Sequence, residues 1–487
     1  MRLTKIEVEK LFGLFSHKIQ LRSRERMTII HGPNGYGKTA MLRLTNALLT
    51  GRLSDLRTIE YKTFTIHLDN GDEIKVERTV HKPTGERSET IRKSTLKITS
   101  KLHPNEPLIT GPTTPKDAIR PLDFPLSYIE ERFPELQRVE SDLWKNRVTQ
   151  EYLTIAEVIE EYSEVFSQAK WANLNRQPDW YKAVKSGIDV KFIQTQRLLM
   201  QGPNERDRNY PRNRPYGNEL PTYRPAVEVF SEELVGNITG LLRDYAALSQ
   251  SLDSTFPTRL VKASTSSLTV SNIRIRLQQL ATKRERLMQA GMLDKQSSLQ
   301  LEEQSVTPKN RGVLSIYVQD VEKKLGVFDD LVQRIEVLQS IINSRFAFKQ
   351  LVVTKDRGFQ FSNSFDIPLS AQALSSGEQH ELVLAYELLF KTKPNSLILI
   401  DEPEISLHVA WQRNFLTDLQ KMAELSRFDS IIATHSPQII DERWDLTEEL
   451  GADDLKLSAD KKTQAKRRKV AAELKKTRSL KLKAKGL

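Results

Sequence analysis

Gly32-Pro33-Asn34-Gly35-Tyr36-Gly37-Lys38-Thr39 fits the pattern G-x-x-x-x-G-K-[ST]. The apolar run Met27-Thr28-Ile29-Ile30 before it reads as a buried strand, and residues 40–49 after it read as a helix. Strand, glycine loop and helix is the arrangement in which successive backbone N–H groups and a helix N-terminus surround phosphate oxygens. Glycines are needed because a Cβ would block the close approach and the positive φ angles. In this pattern Lys38 reaches the β- and γ-phosphates of a nucleotide and the Thr39 hydroxyl takes Mg²⁺. ATP and Mg²⁺ are therefore the expected ligands, with Gly32, Pro33, Asn34, Gly35, Tyr36 and Gly37 lining the phosphates.

A second group of signals lies far downstream. Leu374-Ser375-Ser376-Gly377-Glu378-Gln379 precedes a helical stretch, residues 380–390. The apolar run Ser396–Ile400 reads as a buried strand ending in Asp401-Glu402-Pro403-Glu404, and Ser430–Thr434 as another ending in His435. A carboxylate at the end of a parallel strand beside the phosphate loop is where Mg²⁺ needs a ligand, and Asp401 fits. Glu402 is placed to orient and deprotonate an attacking water. His435 is placed to sense or stabilise the γ-phosphate. Ser376 and Gly377, flanked by Ser375 and Glu378, form an anion site at a helix N-terminus. Their place in the chain points them at the nucleotide of a second subunit. Each signal alone is commonly structural. Their order is what constrains the reading, with 24 positions from Gly377 to Asp401 and 34 from Asp401 to His435.

The chain has 487 residues, 38% hydrophobic and 28% charged, enough for two to four domains. It contains no cysteine, so disulfides and cysteine metal sites are excluded. No apolar run approaches the ~20 residues of a membrane span, and the N-terminus alternates like a strand rather than carrying a signal-peptide core. A cytoplasmic protein with no membrane partner is expected. The net charge of +11 sits in one place. From Leu455 onward there are 13 Lys/Arg and 2 Asp/Glu, while the remaining 454 residues carry 61 of each sign.

Residues 1–100 read as the N-terminal half of an α/β ATPase head. Phe64–Leu68 and Glu73–Glu77 around Asp69-Asn70-Gly71-Asp72 give a hairpin, and another strand is expected near Ser94–Ser100. Such an antiparallel layer beside a phosphate-loop strand suits an ABC-type domain with a mixed sheet. Phe12 or Phe15 could stack on adenine, although for either alone core packing is the commoner role. Residues 101–187 read as a helical insertion after a Pro- and Thr-rich loop, and 188–225 as a strand followed by a long loop. Across 226–348 the chain reads as helical. Leu314, Val318, Val321, Leu325, Phe328, Val332 and Ile335 are spaced by fours and threes, and Ile273, Leu277, Leu280 and Leu287 keep the same period. With a turn at 297–312, this predicts an inserted helical lid with a short antiparallel coiled-coil arm. Residues 349–450 form the C-terminal half of the head, and 451–487 a basic tail.

These motifs together resemble the ABC-type ATPases of the RecF/SMC/OLD branch. The resemblance is carried by Phe12-Gly13-Leu14-Phe15, the phosphate loop, Phe192–Leu198, Leu374–Gln379, and Asp401–His408 followed by Trp411-Gln412. It covers roughly residues 1–100, 188–200 and 349–442. It implies that Gln196, with Gln194 as the alternative, contacts Mg²⁺ or water, and that Ser406-Leu407-His408 lies across a dimer. Few residues follow Pro437, so the Toprim nuclease domain of OLD enzymes is not expected, and the arm is too short for a long-arm SMC protein. What remains is similar to stand-alone ATPase subunits of bacterial antiphage systems of the Septu and PARIS types. That likeness implies an ATP-dependent dimer working with a separately encoded nuclease effector. The alternative is a RecF-like repair ATPase clamping DNA. The basic tail reads equally as a phosphate-directed nucleic-acid arm or as a solvated extension.

Overall fold

The computed structural model describes residues 1–80, 94–110, 126–133, 135–139, 143–146, 152–155, 158, 177–193, 199–201, 223–262, 268–293, 306–307, 309–370, 373–405 and 407–451. The chain forms two units, one from residues 1–195, 393–405 and 427–487, the other from 196–392 and 406–426. The basic tail and both candidate glutamines, Gln194 and Gln196, lie outside the described residues, as does Ser406.

In the first unit the ATPase head puts its parallel and antiparallel strands in two separate sheets. Five parallel strands run in the order Val190–Ile193, Leu397–Asp401, Asp429–Thr434, Met27–His31, Thr447–Glu449. The middle three are almost continuously buried, as their unbroken Ile/Leu runs require of strands covered on both faces. The helix Lys38–Thr50 lies along this sheet and buries Met41, Leu42, Leu44, Leu48 and Leu49. Each such side chain contributes about 1.5–3 kcal/mol relative to exposure. The second sheet is antiparallel and six-stranded, in the order Phe15–Gln20, Leu3–Leu11, Thr63–Leu68, Glu73–Val80, Ser94–Ser100, Leu108–Thr110. Strand Leu3–Leu11 and its neighbours contribute Ile6, Val8, Ile19, Phe64 and Ile66 to the same core as the P-loop helix. The expected hairpin is present, pairing His67 with Glu73. Gly71 takes φ 85° in its turn, where a side chain would be strained. Asp72 closes the turn with a buried carboxylate that accepts hydrogen bonds from Ser100 Oγ and the Glu73 N–H.

The insertion 101–187 departs from the helical expectation. Its described residues include helices Ser127–Arg132 and Asp179–Gly187, but also the strand Leu108–Thr110 and a three-stranded antiparallel sheet, Leu136–Arg138, Leu143–Asn146 and Tyr152–Thr154. The helix Ser127–Arg132 ends immediately before Phe133-Pro134, where a proline disfavours helical backbone at the preceding residue. Downstream, Trp144 and Asn146 are buried on either side of a less buried Lys145, a period of two rather than 3.6. Trp144 joins Ile129, Phe133, Leu136, Ile155 and Val158 in a small core of its own.

In the second unit the heptad seam is buried throughout, from Leu314 to Ile335, but it is split between helices Arg311–Gly326 and Asp329–Arg345. The two helices joined through the 297–312 turn, Val270–Gln289 and Arg311–Gly326, are not antiparallel. Arg276 pairs with Glu322 of the second, and Lys283 and Arg286 pair with Asp329 and Glu336 of the helix that follows it, Asp329–Arg345, so Val270–Gln289 runs in the same direction as the path from 311 to 345. The antiparallel neighbour of Arg311–Gly326 is instead the 37-residue helix Ala226–Lys262, through Arg259–Asp320 and Lys324–Asp253. The antiparallel arm expected across the turn is therefore replaced by a three-helix arrangement. Periodicity reports which face is buried, not the direction of the helix that buries it. The signature helix Ser376–Phe390 packs against Asp329–Arg345 and Phe415–Ser426. No described helix is long and apolar enough to cross a membrane.

Candidate nucleotide site

The phosphate loop sits between the end of strand Met27–His31 and helix Lys38–Thr50. Gly37 caps that helix in the left-handed region at φ 92°, and a Cβ there would run into the Leu11 side chain. The loop is moored to the antiparallel sheet. Tyr36 stacks on Phe15 with ring centroids 5.0 Å apart, and His17 Nε2 donates to the Tyr36 carbonyl at 2.9 Å. Phe15 is thereby a packing residue, whereas Phe12, in a left-handed turn beside Gly37, remains 43% exposed. Lys38 folds its Nζ onto the loop, donating to the Gly32 carbonyl at 2.8 Å and that of Pro33 at 3.2 Å. Its ammonium is thus centred among the backbone groups that would meet phosphate.

Strand Leu397–Asp401 lies one strand removed from Met27–His31, with Asp429–Thr434 between them. This places Asp401 and His435 at the same edge as the loop, where open parallel sheets bind ligands. Thr39 Oγ1 donates to Asp401 Oδ1 at 3.1 Å. Burial pushes the Asp401 carboxyl up; the Thr39 hydrogen bond and the charge of Arg43 pull against this, while Glu402 and Glu404 add to it. A bound cation would reverse the balance, favouring the carboxylate. Among the described residues no group of three or more His, Cys, Asp or Glu side chains could hold an ion by itself. A site of one hydroxyl, one carboxylate and phosphate oxygens suits Mg²⁺, which keeps few protein ligands. Thr39 and Asp401 are the residues that would hold it.

Glu402 follows in the left-handed region at φ 46°, an uncommon backbone for a side chain of this size. Its N–H donates to the Ala433 carbonyl at 2.9 Å, locking the turn to the next strand. The turn continues as a 3₁₀ helix, Pro403–Ile405. Glu404 Oε1 accepts from Thr434 Oγ1 at 2.8 Å and from the His435 N–H at 3.0 Å, and His435 Nδ1 lies 2.9 Å from it, within ion-pair distance. Glu402 Oε1 is 3.9 Å from the same Nδ1. The expected set Lys38, Thr39, Asp401, Glu402 and His435 therefore belongs to one unit and one sheet edge. Glu404 joins this set beyond the residues the motifs predict. Its signal was the second acid in Asp-Glu-Pro-Glu.

The signature segment belongs to the second unit. Ser375 caps helix Ser376–Phe390 in a reciprocal capping box with Glu378. The Glu378 N–H donates to Ser375 Oγ at 3.3 Å and the Ser375 N–H to Glu378 Oε2 at 2.7 Å. Lys349 also pairs with Glu378 at 2.7 Å. Ser375 and Ser376 are exposed. Burial pushes the Glu378 carboxyl up, but the hydrogen bonds of Lys349 and Ser375 outweigh it and hold it below the ordinary glutamate range.

Comparison with known proteins adds three findings. The AAA ATPase domain family matches residues 1–440. A curated Escherichia coli protein, the Retron Ec83 probable ATPase, is 29% identical over 150 residues, covering 25% of this chain. The chain spans about a quarter of that relative's length, 27%. Two solved structures align along most of their length. One is the Pyrococcus furiosus Smc head domain with an extended coiled coil bound to the C-terminal domain of ScpA, at 12% identity, 90% of this chain, 91% of that chain and a TM-score of 0.30. The other is the Thermotoga maritima SMC head domain, at 11% identity, 92% and 94% coverage and a TM-score of 0.30. Likenesses at this level carry no argument about the fold, which rests on the strand order described above.

Proposed function

The chain belongs to the AAA ATPase domain family, and from that premise we propose that it is an ABC-type ATPase that closes as a dimer around ATP and serves as a sensor and switch in antiphage defence, controlling a separate nuclease effector. Binding and hydrolysis of ATP come with the family. The observation that carries the hydrolytic reading is the constellation of Thr39, Asp401, Glu402 and His435 on one sheet edge beside Lys38.

Lys38 neutralises the β- and γ-phosphates, and the loop N–H groups orient them. Thr39 and Asp401 would hold Mg²⁺, which would supply positive charge against the phosphates. Glu402 orients the attacking water and accepts its proton. His435 meets the γ-phosphate. The capped N-terminus, with Ser375 and Ser376 exposed ahead of Gly377, supports a role as the anion site a second copy brings to the same nucleotide. The likeness to the probable ATPase of a retron supports an ATPase that is one part of a larger system.

Glu402→Gln tests the reading. It should slow hydrolysis and trap the closed dimer at saturating ATP and Mg²⁺, as measured by light scattering. A Glu402→Gln protein that stays monomeric under those conditions would refute the switch.

A second reading, a DNA clamp of the RecF kind, draws on the concentration of 13 Lys/Arg after residue 455. It expects double-stranded DNA to stimulate hydrolysis at low salt, and the stimulation to disappear with moderate salt or in a chain ending at Gly451. Slow turnover indifferent to DNA favours the switch.

A further inference from the structure

We propose that Glu404 is a positioning residue for hydrolysis: it holds His435 by Nδ1–H so that Nε2 is the nitrogen presented to the γ-phosphate. The inference rests on the reading of His435 as the γ-phosphate contact.

The geometry separates the two acids. Glu404 Oε1 is at hydrogen-bond distance from Nδ1, 2.9 Å, and Glu402 Oε1 is not, at 3.9 Å. Glu404 is also the fixed partner. Its side chain is 7% exposed against 31% for Glu402. The Thr434 hydroxyl, itself accepting the Ser436 N–H at 3.0 Å, and the His435 N–H both converge on the same oxygen. A carboxylate oxygen fixed by two hydrogen bonds has a set orientation, and Nδ1 2.9 Å away meets it in that orientation. The ring itself is 45% exposed, and among the described residues Nε2 has no hydrogen-bond partner.

A ring that donates through Nδ1 has Nε2 left for the second contact. When Nε2 also carries a proton, the ring is a double donor, and the Glu404 charge offsets the imidazolium, as a buried carboxylate does beside a catalytic histidine. Glu402 then remains at liberty to face water. The two acids of Asp-Glu-Pro-Glu thus divide the work, one toward the nucleophile and one toward the imidazole.

The test is a double-mutant cycle on the full-length protein, read as kcat, KM for ATP and binding of a non-hydrolysable ATP analogue. Glu404→Gln keeps an accepting oxygen and removes the charge; Glu404→Ala removes both. Glu404→Gln should lower kcat about tenfold and Glu404→Ala about a hundredfold, the range lost when a donor to the transition-state charge is mispositioned. Analogue affinity should stay within about threefold in both. In a His435→Ala background neither change should lower kcat further. With ¹⁵N-histidine labelling, the signal missing from His435→Ala identifies the ring among eight histidines. Its Nδ1 should be the protonated nitrogen in the parent and lose that preference in Glu404→Ala. Equal losses in both backgrounds, or an unchanged kcat in Glu404→Gln and Glu404→Ala, would overturn the proposal. Should Glu404→Ala not fold, Glu404→Gln and the labelled parent still decide it. A His435→Ala protein with parental kcat would instead remove the premise about His435, a distinct outcome.

Discussion

Thr39 Oγ1 donates to Asp401 Oδ1 at 3.1 Å, joining the first turn of the P-loop helix to the end of a strand more than three hundred residues away. An amide at 401 could still accept that hydrogen bond but could not supply the charge a divalent cation needs. Asp401→Asn should therefore bind ATP in EDTA as the parent does. Its Mg²⁺ requirement should rise about tenfold or more and its maximal rate should fall about a hundredfold. Calorimetric nucleotide binding in EDTA, paired with hydrolysis across a Mg²⁺ titration, separates these effects. Lost nucleotide binding in EDTA would mean that Asp401 acts on loop structure instead.

Gly37 and Gly71 both sit at positive φ, 92° and 85°, yet they are under different constraints. A Cβ at Gly37 would strike Leu11 and approach the Phe12 ring at 3.4 Å, whereas nothing lies within 4 Å of one at Gly71. Gly71→Ala should cost about 1 kcal/mol of stability and leave nucleotide affinity alone. Gly37→Ala should cost more, about 1–3 kcal/mol, and weaken ATP binding at least about tenfold by moving the loop. Fluorescent-nucleotide titration and urea unfolding of both variants check the contrast.

The chemistry at the sheet edge was legible because each element announced itself locally. Met27–His31, Leu397–Asp401 and Asp429–Thr434 are short β-branched runs, and the functional side chains sit where the runs stop. The Asp69–Asp72 hairpin was legible from turn chemistry. Other features depend on partners distant in sequence. Glu404 looks like any acid in a turn until strand Asp429–Thr434 brings His435 to it. The direction of Val270–Gln289 against Arg311–Gly326 depends on the course of the chain between them, and an apolar stripe is the same read either way. The strands at 136–154 are too short for a period of two to stand out from a helical background. The two candidate glutamines, 194 and 196, fall outside the described residues and remain expectations.

Glu378 ties the signature helix to pH. Its folded carboxyl is held below its unfolded value because the hydrogen bonds from Lys349 and Ser375 outweigh its burial. A depressed carboxyl contributes fully above the ordinary glutamate value, about 4.3. That contribution is lost as pH falls through the folded value. Glu378→Gln removes the titrating group and half of the capping box. At pH 7 it should be about 1 kcal/mol less stable than the parent. The gap should narrow steadily below about pH 4, where the parent's carboxyl is itself protonated. Urea unfolding of both proteins across that range reads the effect, and a gap that holds constant to pH 3 would show that the capping charge contributes nothing.

Arg345 ends the helix Asp329–Arg345 inside the second unit, with its side chain 4% exposed. It pairs with Asp418, itself buried, and donates to the Trp411 carbonyl at 2.9 Å. Glu381 of the signature helix, also buried, feels the same guanidinium; burial pushes its carboxyl up and Arg345 only partly opposes this. One cation thus serves two acids unequally. Asp418 has a direct ion pair, and Glu381 tends toward the protonated form. Removing the cation leaves the buried Asp418 with only the half-exposed Lys421, 3.5 Å away, so Arg345→Ala should cost about 3 kcal/mol. Glu381→Gln replaces a carboxyl already inclined to neutrality and should stay within about 1 kcal/mol of the parent. The double variant Arg345→Met with Asp418→Leu should recover much of the loss, because it leaves no unpaired charge behind. Urea unfolding at pH 7 ranks the three. If Arg345→Ala proved no worse than Glu381→Gln, Lys421 would suffice for Asp418 once Arg345 is gone, and the Arg345 ion pair would not be what holds these helices together.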